Sequence, residues 1–255
     1  LPGLTVVSGR RSEIGSVDGP SYERVKIHGH ALTAEWRAGA DDTLKYIVSQ
    51  RKMKYADSLD LDGSALPMVQ IDSTVNYQQQ SQELQWLGTQ GAVSYVGGIY
   101  RFTDRADAIG PQHFFGGTAD AVEGLSNYGS ETRSTAYYGQ LDYRLNEQVT
   151  LTGGLRRTSE DKIGRRFQSY FGYPTIPEGT GGRASFSSTS PLLSVAYKIT
   201  PSVSTYLRYA EGFKGGGFNG EADSIKDSTI PFRPETLKAL ELGLKSSLLG
   251  GRAIV

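Results

Sequence analysis

The chain contains no cysteine. A disulfide framework and thiolate metal or redox chemistry are therefore excluded. No apolar run approaches the roughly 18 residues that a membrane-spanning helix requires. The first fifteen residues, LPGLTVVSGRRSEIG, show no basic segment followed by an apolar one, so no signal peptide is visible. Net charge is lacking as well: 27 Lys and Arg balance 27 Asp and Glu. That balance removes the general electrostatic case for a nucleic-acid partner.

Glycine and tyrosine are abundant, at 32 and 15 among 255 residues, while hydrophobic residues make up only 37%. Helical runs rich in leucine are scarce, so the composition points to an all-β protein of one large domain or two ordinary ones. Residues 192–219, LLSVAYKITPSVSTYLRYAEGFKGGGFN, show the organising unit. Leu193, Val195, Tyr197 and Ile199 alternate with Ser194, Ala196 and Lys198. After a turn at Thr200-Pro201, Val203, Thr205, Leu207 and Tyr209 alternate with Ser204, Tyr206, Arg208 and Ala210. Side chains alternate faces along a strand, so each strand carries one apolar and one polar face.

The unit recurs along the chain. Residues 1–22 read as a loop or the remnant of a preceding segment, and strands are expected over 24–37, 43–57, 76–88 and 92–104. The last of these is apolar on both faces, so its orientation stays open. A hairpin follows over 133–160, turning at Asn146-Glu147, and a later strand covers 236–247. Short turns near 40, 90, 147, 200 and 249 alternate with long polar connections at 58–75, 105–130, 162–183 and 214–235. Loops of that length are uncommon in a compact soluble domain. Their alternation with short turns is the pattern of an outer-membrane barrel, whose strands need only about 9–11 residues to cross. Trp36, Trp86, Tyr143, Tyr197 and Tyr209 fall near strand ends, where an aromatic girdle would sit. The expected fold is an antiparallel sheet of about 9–10 strands over residues 23–255, with the long connections all at one end.

The run YLRYAEGFKGGGFN at 206–219, followed by PFRPETLKALELGLKSSLLGGR at 231–252, resembles the barrel of TonB-dependent outer-membrane receptors. The matching residues are Tyr206, Tyr209, Ala210, Gly212, Phe213, Lys214, Gly216, Gly217 and Phe218, then Pro234, Glu235, Glu241, Leu242, Gly243 and Lys245. Leu240 stands where that family usually has an aromatic residue. SQELQWLG (81–88), LTGGLRRTSEDK (151–162) and SPLLSVAYKIT (190–200) add to the likeness. The resemblance implies a 22-stranded barrel with a plugged lumen, located in the outer membrane of a Gram-negative bacterium. It implies uptake of a scarce nutrient, such as a ferric siderophore, another chelate, cobalamin or an oligosaccharide. Energy would arrive through TonB by way of an N-terminal plug segment. Neither that plug nor an aromatic C-terminal residue stands in the sequence, so an interior fragment of the barrel is expected. The partners are then the lipid bilayer, the TonB complex and a small-molecule nutrient or metal chelate, with no nucleic acid. The competing readings are a passive porin, a secretion barrel, and a soluble β-sandwich whose apolar faces pack on each other.

No catalytic constellation emerges. His28 and His30 share a strand face as a metal pair would, but no third ligand accompanies them, and exposed strand residues are the simpler reading. LDLDGS at 59–64 resembles part of a calcium loop without the closing glutamate. Gly215-Gly216-Gly217 lacks the spacing of a phosphate loop. Glu160 and Asp161 adjoin basic residues at a strand end. Neither a metal nor a cofactor is expected. The candidate ligand-binding residues are Tyr138, Arg156 and Arg208 in the upper lumen, joined by Phe114, Phe115 and Tyr170 from the long loops. Tyr170, Phe171, Tyr173, Phe213 and Phe218 would add aromatic surface to that end.

Overall fold

The structure is a computed structural model that describes residues 17–248 and 252–254. Its strands are β1 (Tyr22–Arg37), β2 (Asp42–Asp60), β3 (Val69–Gln90), β4 (Val93–Phe114), β5 (Val122–Arg144), β6 (Val149–Tyr170), β7 (Tyr173–Thr200), β8 (Val203–Lys214), β9 (Glu235–Leu248) and β10 (Ala253–Ile254). One short helix, α1 (Ile225–Thr229), stands between β8 and β9. Each strand pairs antiparallel with its sequence neighbour in one sheet, ordered β1 to β10. No second sheet faces it among the described residues, which removes the soluble sandwich. Antiparallel neighbour pairing puts every alternate connection at the same end. Connections 38–41, 91–92, 145–148 and 201–202 share one end; 61–68, 115–121, 171–172 and 215–234 share the other, called upper below.

Three of the four long connections expected from sequence are shorter than anticipated. Residues 58–60, 69–75, 105–114, 122–130, 162–170 and 173–183 are strand, leaving links of 61–68, 115–121 and 171–172. β7 alone runs for 28 residues, far beyond a membrane crossing. Above the membrane both faces of each strand meet water, so polar residues occupy both and the alternation disappears. The backbone stays extended because the neighbouring strand supplies its hydrogen bonds. Pro174 and Pro177 are absorbed in β7 by shifts of register opposite Arg166, Gln168 and Ser169. Only 215–234 remains a long connection, and it carries α1.

Register fixes the faces. One face carries rows such as Val93–Tyr143–Leu151–Val195–Leu207–Leu242 and Tyr95–Leu141–Gly153–Leu193–Tyr209–Leu240. The strand left open by sequence is thereby oriented: Tyr95, Gly97 and Ile99 share the apolar face, and Val96, Gly98 and Tyr100 the polar one. Leu141, Tyr143, Leu151, Leu155, Val195, Leu207, Leu242 and Leu244 all lie on the apolar face and all remain exposed. Leu242 is 77% exposed and Leu240 74%. Large apolar side chains left bare in a continuous band are the outer surface of a lipid-facing sheet.

The band does not follow the hydrogen-bonded rows. The row Ala34–Tyr46–Leu84–Ile99–Tyr137 is apolar, then passes into Arg157 and Thr189. On later strands the apolar segment begins lower. Strands inclined to the membrane normal require this stagger, because a horizontal slab crosses successive strands at successively shifted positions.

At the lower border, Asp42 accepts hydrogen bonds from Trp86 Nε1 at 3.0 Å and Tyr95 Oη at 2.5 Å. The two rings meet edge-on, 6.5 Å between centroids. One carboxylate thus orients two girdle aromatics with their polar atoms toward the interface. Asp42→Ala is expected to lower unfolding stability of the folded receptor by about 1–2 kcal/mol, read as a shifted urea midpoint at unchanged slope. An unshifted midpoint would show that the carboxylate does not support the girdle.

Candidate functional site

The polar face lines the concave, lumen side. It holds Glu83 on β3, Tyr100 on β4, Tyr138 on β5 and Arg156 on β6, about seven residues above the short-turn ends of their strands and brought together by consecutive registers. Tyr138 donates its hydroxyl to Glu83 Oε1 at 2.5 Å. The Arg156 guanidinium lies 5.5 Å from the Tyr100 ring centre and 5.6 Å from that of Tyr138, and its Nε donates to Thr158 at 3.3 Å. A cation held over two aromatic faces keeps a fixed position while its remaining N–H groups stay free to meet an anion. The cluster therefore offers a positive charge and a phenol at the same height.

Arg208 does not join it. Its row is Asp142–Thr152–Ser194–Arg208–Glu241, two lumen rows below that of Arg156. Sequence alternation gave its face; its register separates it from Tyr138 and Arg156. Tyr206, one lumen row below on the same strand, donates to Glu241 and stacks beneath Lys245 Nζ at 5.5 Å.

Phe114 and Tyr170 are not loop residues: they are the last residues of β4 and β6. Both belong to the lumen face, and their rings meet at 6.1 Å. Tyr170 donates to Gln112 Oε1 at 3.0 Å and accepts from Gln168 Nε2 at 3.2 Å, so its ring is held flat against the wall. Phe115 lies at the tip, half exposed, with φ +51°; Phe171 at the next tip has φ +55°. Bulky residues in the left-handed region are strained. Each tip is tied sideways: Phe115 N donates to Met68 O at 3.0 Å, and Phe171 N to Glu123 O at 3.1 Å. The aromatic tips form a stitched rim.

Sequence reasoning missed the roof. Connection 215–234 folds inward over the upper lumen face of β5–β7 instead of standing free. Phe218 lies over Gly164 and Gly182; a Cβ at those glycines would come within 2.5 and 2.4 Å of its side chain. Arg166, only 4% exposed, is the tie: Nε donates to Ala222 O at 3.0 Å, and Nη1 to Ser126 Oγ at 2.9 Å and Asn127 O at 3.1 Å. Burial lowers the Arg166 proton affinity, and Asp223 and Glu221 on the roof oppose that effect. Ser224 caps α1 by accepting from Asp227 N at 3.1 Å. Beneath the roof lies a cleft of ≈ 350 Å³ lined by Asp104, Glu131, Lys162, Arg166, Lys214 and Phe218. The only available signal was the pair of glycines opposite a glycine-rich aromatic loop, which needs the register to be read.

His28 and His30 lie exposed on the outer face of β1, opposite Lys52 and Gln50. Asp18, Asp60 and Asp62 bring carboxylate oxygens within 4.8 Å of one another. The Asp60 and Asp62 oxygens are engaged in the turn, accepting from Asp18 N, Gly63 N, Ser64 N and Val69 N. Hydrogen bonds from Ser64 and Val69 hold the Asp62 carboxyl below its ordinary pKa.

Residues 5–254 match the family described as TonB dependent receptor-like, beta-barrel. The chain is 25% identical over 247 residues to the pesticin receptors of Yersinia enterocolitica and Yersinia pestis, covering 95% of itself and 34% of each relative. It therefore spans about a third of the length of those relatives. The crystal structure of the ferric yersiniabactin uptake receptor from Yersinia pestis superposes with a TM-score of 0.78 at 21% identity, over 95% of this chain and 37% of that one. The ferric preacinetobactin receptor of Acinetobacter baumannii gives 0.59 at 18% identity, over 92% and 38%.

Proposed function

Because the chain belongs to the TonB-dependent receptor-like β-barrel family, an outer-membrane family of transport receptors, we propose that it is part of a receptor for TonB-energised uptake of a ferric chelate. The observation that carries this reading is the lumen cluster of Arg156 held over Tyr100 and Tyr138, on the same wall whose far upper part is covered by the inward-folded roof. An anionic, aromatic-bearing chelate meets a fixed cation for its charge and ring faces for its apolar part. The pesticin and ferric yersiniabactin receptors among its relatives support the same class of cargo. Phe114, Phe115 and Tyr170 form the outer rim of that path, and Arg208 stands further along it toward the periplasm. TonB contact belongs to a plug segment of the whole receptor.

The test is uptake of radiolabelled iron chelates by cells carrying the complete receptor gene, with and without functional TonB. Uptake lost in both the receptor deletion and the TonB mutant supports the proposal. Uptake that persists without TonB favours a passive pore. Within the complete receptor, Arg156→Ala is expected to weaken chelate binding about ten- to a hundredfold, because a charge-assisted hydrogen bond contributes roughly 1.5–3 kcal/mol. Unchanged affinity with a folded barrel would take Arg156 out of the ligand path.

A further inference from the structure

β7 is paired to different heights on its two sides. Toward β6 its register is unbroken from Tyr197 up to Thr180. Toward β8 the pairing ends at Leu192 and Ala210. In an antiparallel sheet successive residues turn their backbone groups to opposite neighbours. Lys198 N donates to Gln148 O, so the even-numbered residues of this stretch face β6 and the odd-numbered ones face β8. Pro191 is odd-numbered and has no N–H to give β8. The ladder stops at that missing donor.

Above Pro191, β8 and β9 leave the wall as one hairpin. They stay paired up to Lys214 and Glu235, and the bridge between Gly217 and Phe232 continues the same register. The hairpin passes into the roof, which Phe218 over Gly164 and Gly182 and the bond from Arg166 to Ala222 hold on the lumen face. The edge of β7 is left uncovered. Arg183, Ser185, Ser187 and Thr189 are exposed, and none has a backbone partner on the β8 side among the described residues. Thr189 shares its row with Ile99, Tyr137 and Arg157, at the upper border of the apolar band. From Leu192 down the ladder is closed, as hydrocarbon requires. Bare edges are usually blunted by charge, bulge or proline. Here proline stands only at the margins, Pro177 and Pro191, and the residues between are mostly glycine, serine and threonine.

We infer that the edge from Arg183 to Thr189, roughly 23 Å of strand, accepts an extended segment of a second polypeptide as an added antiparallel strand. Main-chain hydrogen bonds supply the affinity of such pairing, and alternate side chains its specificity. The outward side chains of the added strand stand beside Ser185, Ser187 and Thr189. Arg157 Nη1 and Nη2 donate there to Thr189 Oγ1 and Ser187 Oγ at 3.0 and 2.9 Å. Neither Arg157 nor the exposed Arg183 forms an ion pair among the described residues, so acidic residues suit the outward positions. The inward side chains meet Phe186 and the start of the roof. A Cβ at Gly216 would already lie 2.6 Å from the Phe186 ring, so only small residues fit. The partner is therefore a strand that alternates acidic and small residues.

The probe is the peptide acetyl-Thr-Glu-Thr-Glu-Thr-Glu-Thr amide, titrated calorimetrically onto the complete, detergent-purified receptor. Amide hydrogen exchange locates the contact. Binding should slow exchange at Ser185, Ser187 and Thr189. A copy N-methylated at its glutamates, whose N–H groups would face β7, is expected to bind about tenfold more weakly or worse. Ser187→Pro removes an N–H that faces only the free edge and so keeps the β6 ladder. It should weaken the peptide about tenfold at unchanged thermal stability of the barrel, while Ser187→Ala binds it like the parent. Equal binding of the peptide and its N-methylated copy, or parent-like binding by Ser187→Pro, would overturn the proposal. So would slow exchange of those three amides before peptide is added, which would give the edge to the β8–β9 hairpin or to a second copy of the receptor.

Discussion

Leu151→Arg in the complete receptor is expected to block assembly of the folded barrel, whereas Thr152→Arg, one residue on, should leave it folded. Leu151 lies within the apolar row that crosses β4 to β9, flanked by Tyr143 and Val195. Thr152 faces the lumen, where its hydroxyl donates to Asp142 Oδ1 at 2.6 Å, so an arginine there gains a carboxylate neighbour in an aqueous space. Near the bilayer midplane a basic side chain costs about 2–4 kcal/mol. That is roughly thirty- to a thousandfold in the folding equilibrium, enough to exhaust a marginally stable barrel. The readout is the heat-modifiable fraction on gels and outer-membrane abundance. Folding of both variants to the same extent would remove the lipid contact; failure of both would show a strand too marginal to accept any arginine.

That contrast rests on a period of two, the same signal that made the lower half of the sheet legible in the sequence. Between the short turns and the upper membrane border, one face meets lipid and the other water, so Leu141, Tyr143, Leu151 and Leu155 stand out against Gln140, Asp142, Thr152 and Arg156. The strand expected over 92–104 escaped because Val96 and Gly98 on its lumen face are as apolar as Tyr95 and Gly97 outside; pairing with β5 settled it. Above the border the two faces share one solvent, and residues such as Arg105, Asp107, Asn127 and Ser130 read as loop although they are paired strand. The misplacement of Phe114 and Tyr170 follows from that same loss of contrast.

Height along the strand was harder to read than face. Arg208 and Arg156 share the lumen side and stand at similar distances from their short turns, but the register puts them two lumen rows apart. Sequence distance to the nearest turn does not report this until the register is known. The roof was illegible for a different reason. Whether a glycine-rich connection stands out or folds in depends on the surface it meets, here two glycines on neighbouring strands that leave room for one phenyl ring.

Arg166→Ala is expected to release that roof without unfolding the sheet. The guanidinium is the principal polar link between β6 and connection 215–234, and it reaches the roof only through Ala222 O. Its other bonds, to Ser126, Asn127 and Phe167, hold it in position on the sheet. Hydrogen bonds from a charged donor contribute roughly 1.5–3 kcal/mol, and truncation also leaves the buried Ala222 carbonyl unpaired. A loss near 3 kcal/mol raises the population of the open roof about a hundredfold. Trypsin cleavage after Lys226 reports that population, since strand pairing protects the sheet on either side. Gly182→Val approaches the same state from packing: its Cβ would lie 2.4 Å from the Phe218 ring and 2.8 Å from Thr229 O, so the roof must lift. Both variants should be cut about ten- to a hundredfold faster than the parent at unchanged thermal stability of the barrel. Parent-like cleavage in both would mean that β8 and β9 alone hold the connection in place, and that neither Arg166 nor the Phe218 contact closes the lumen.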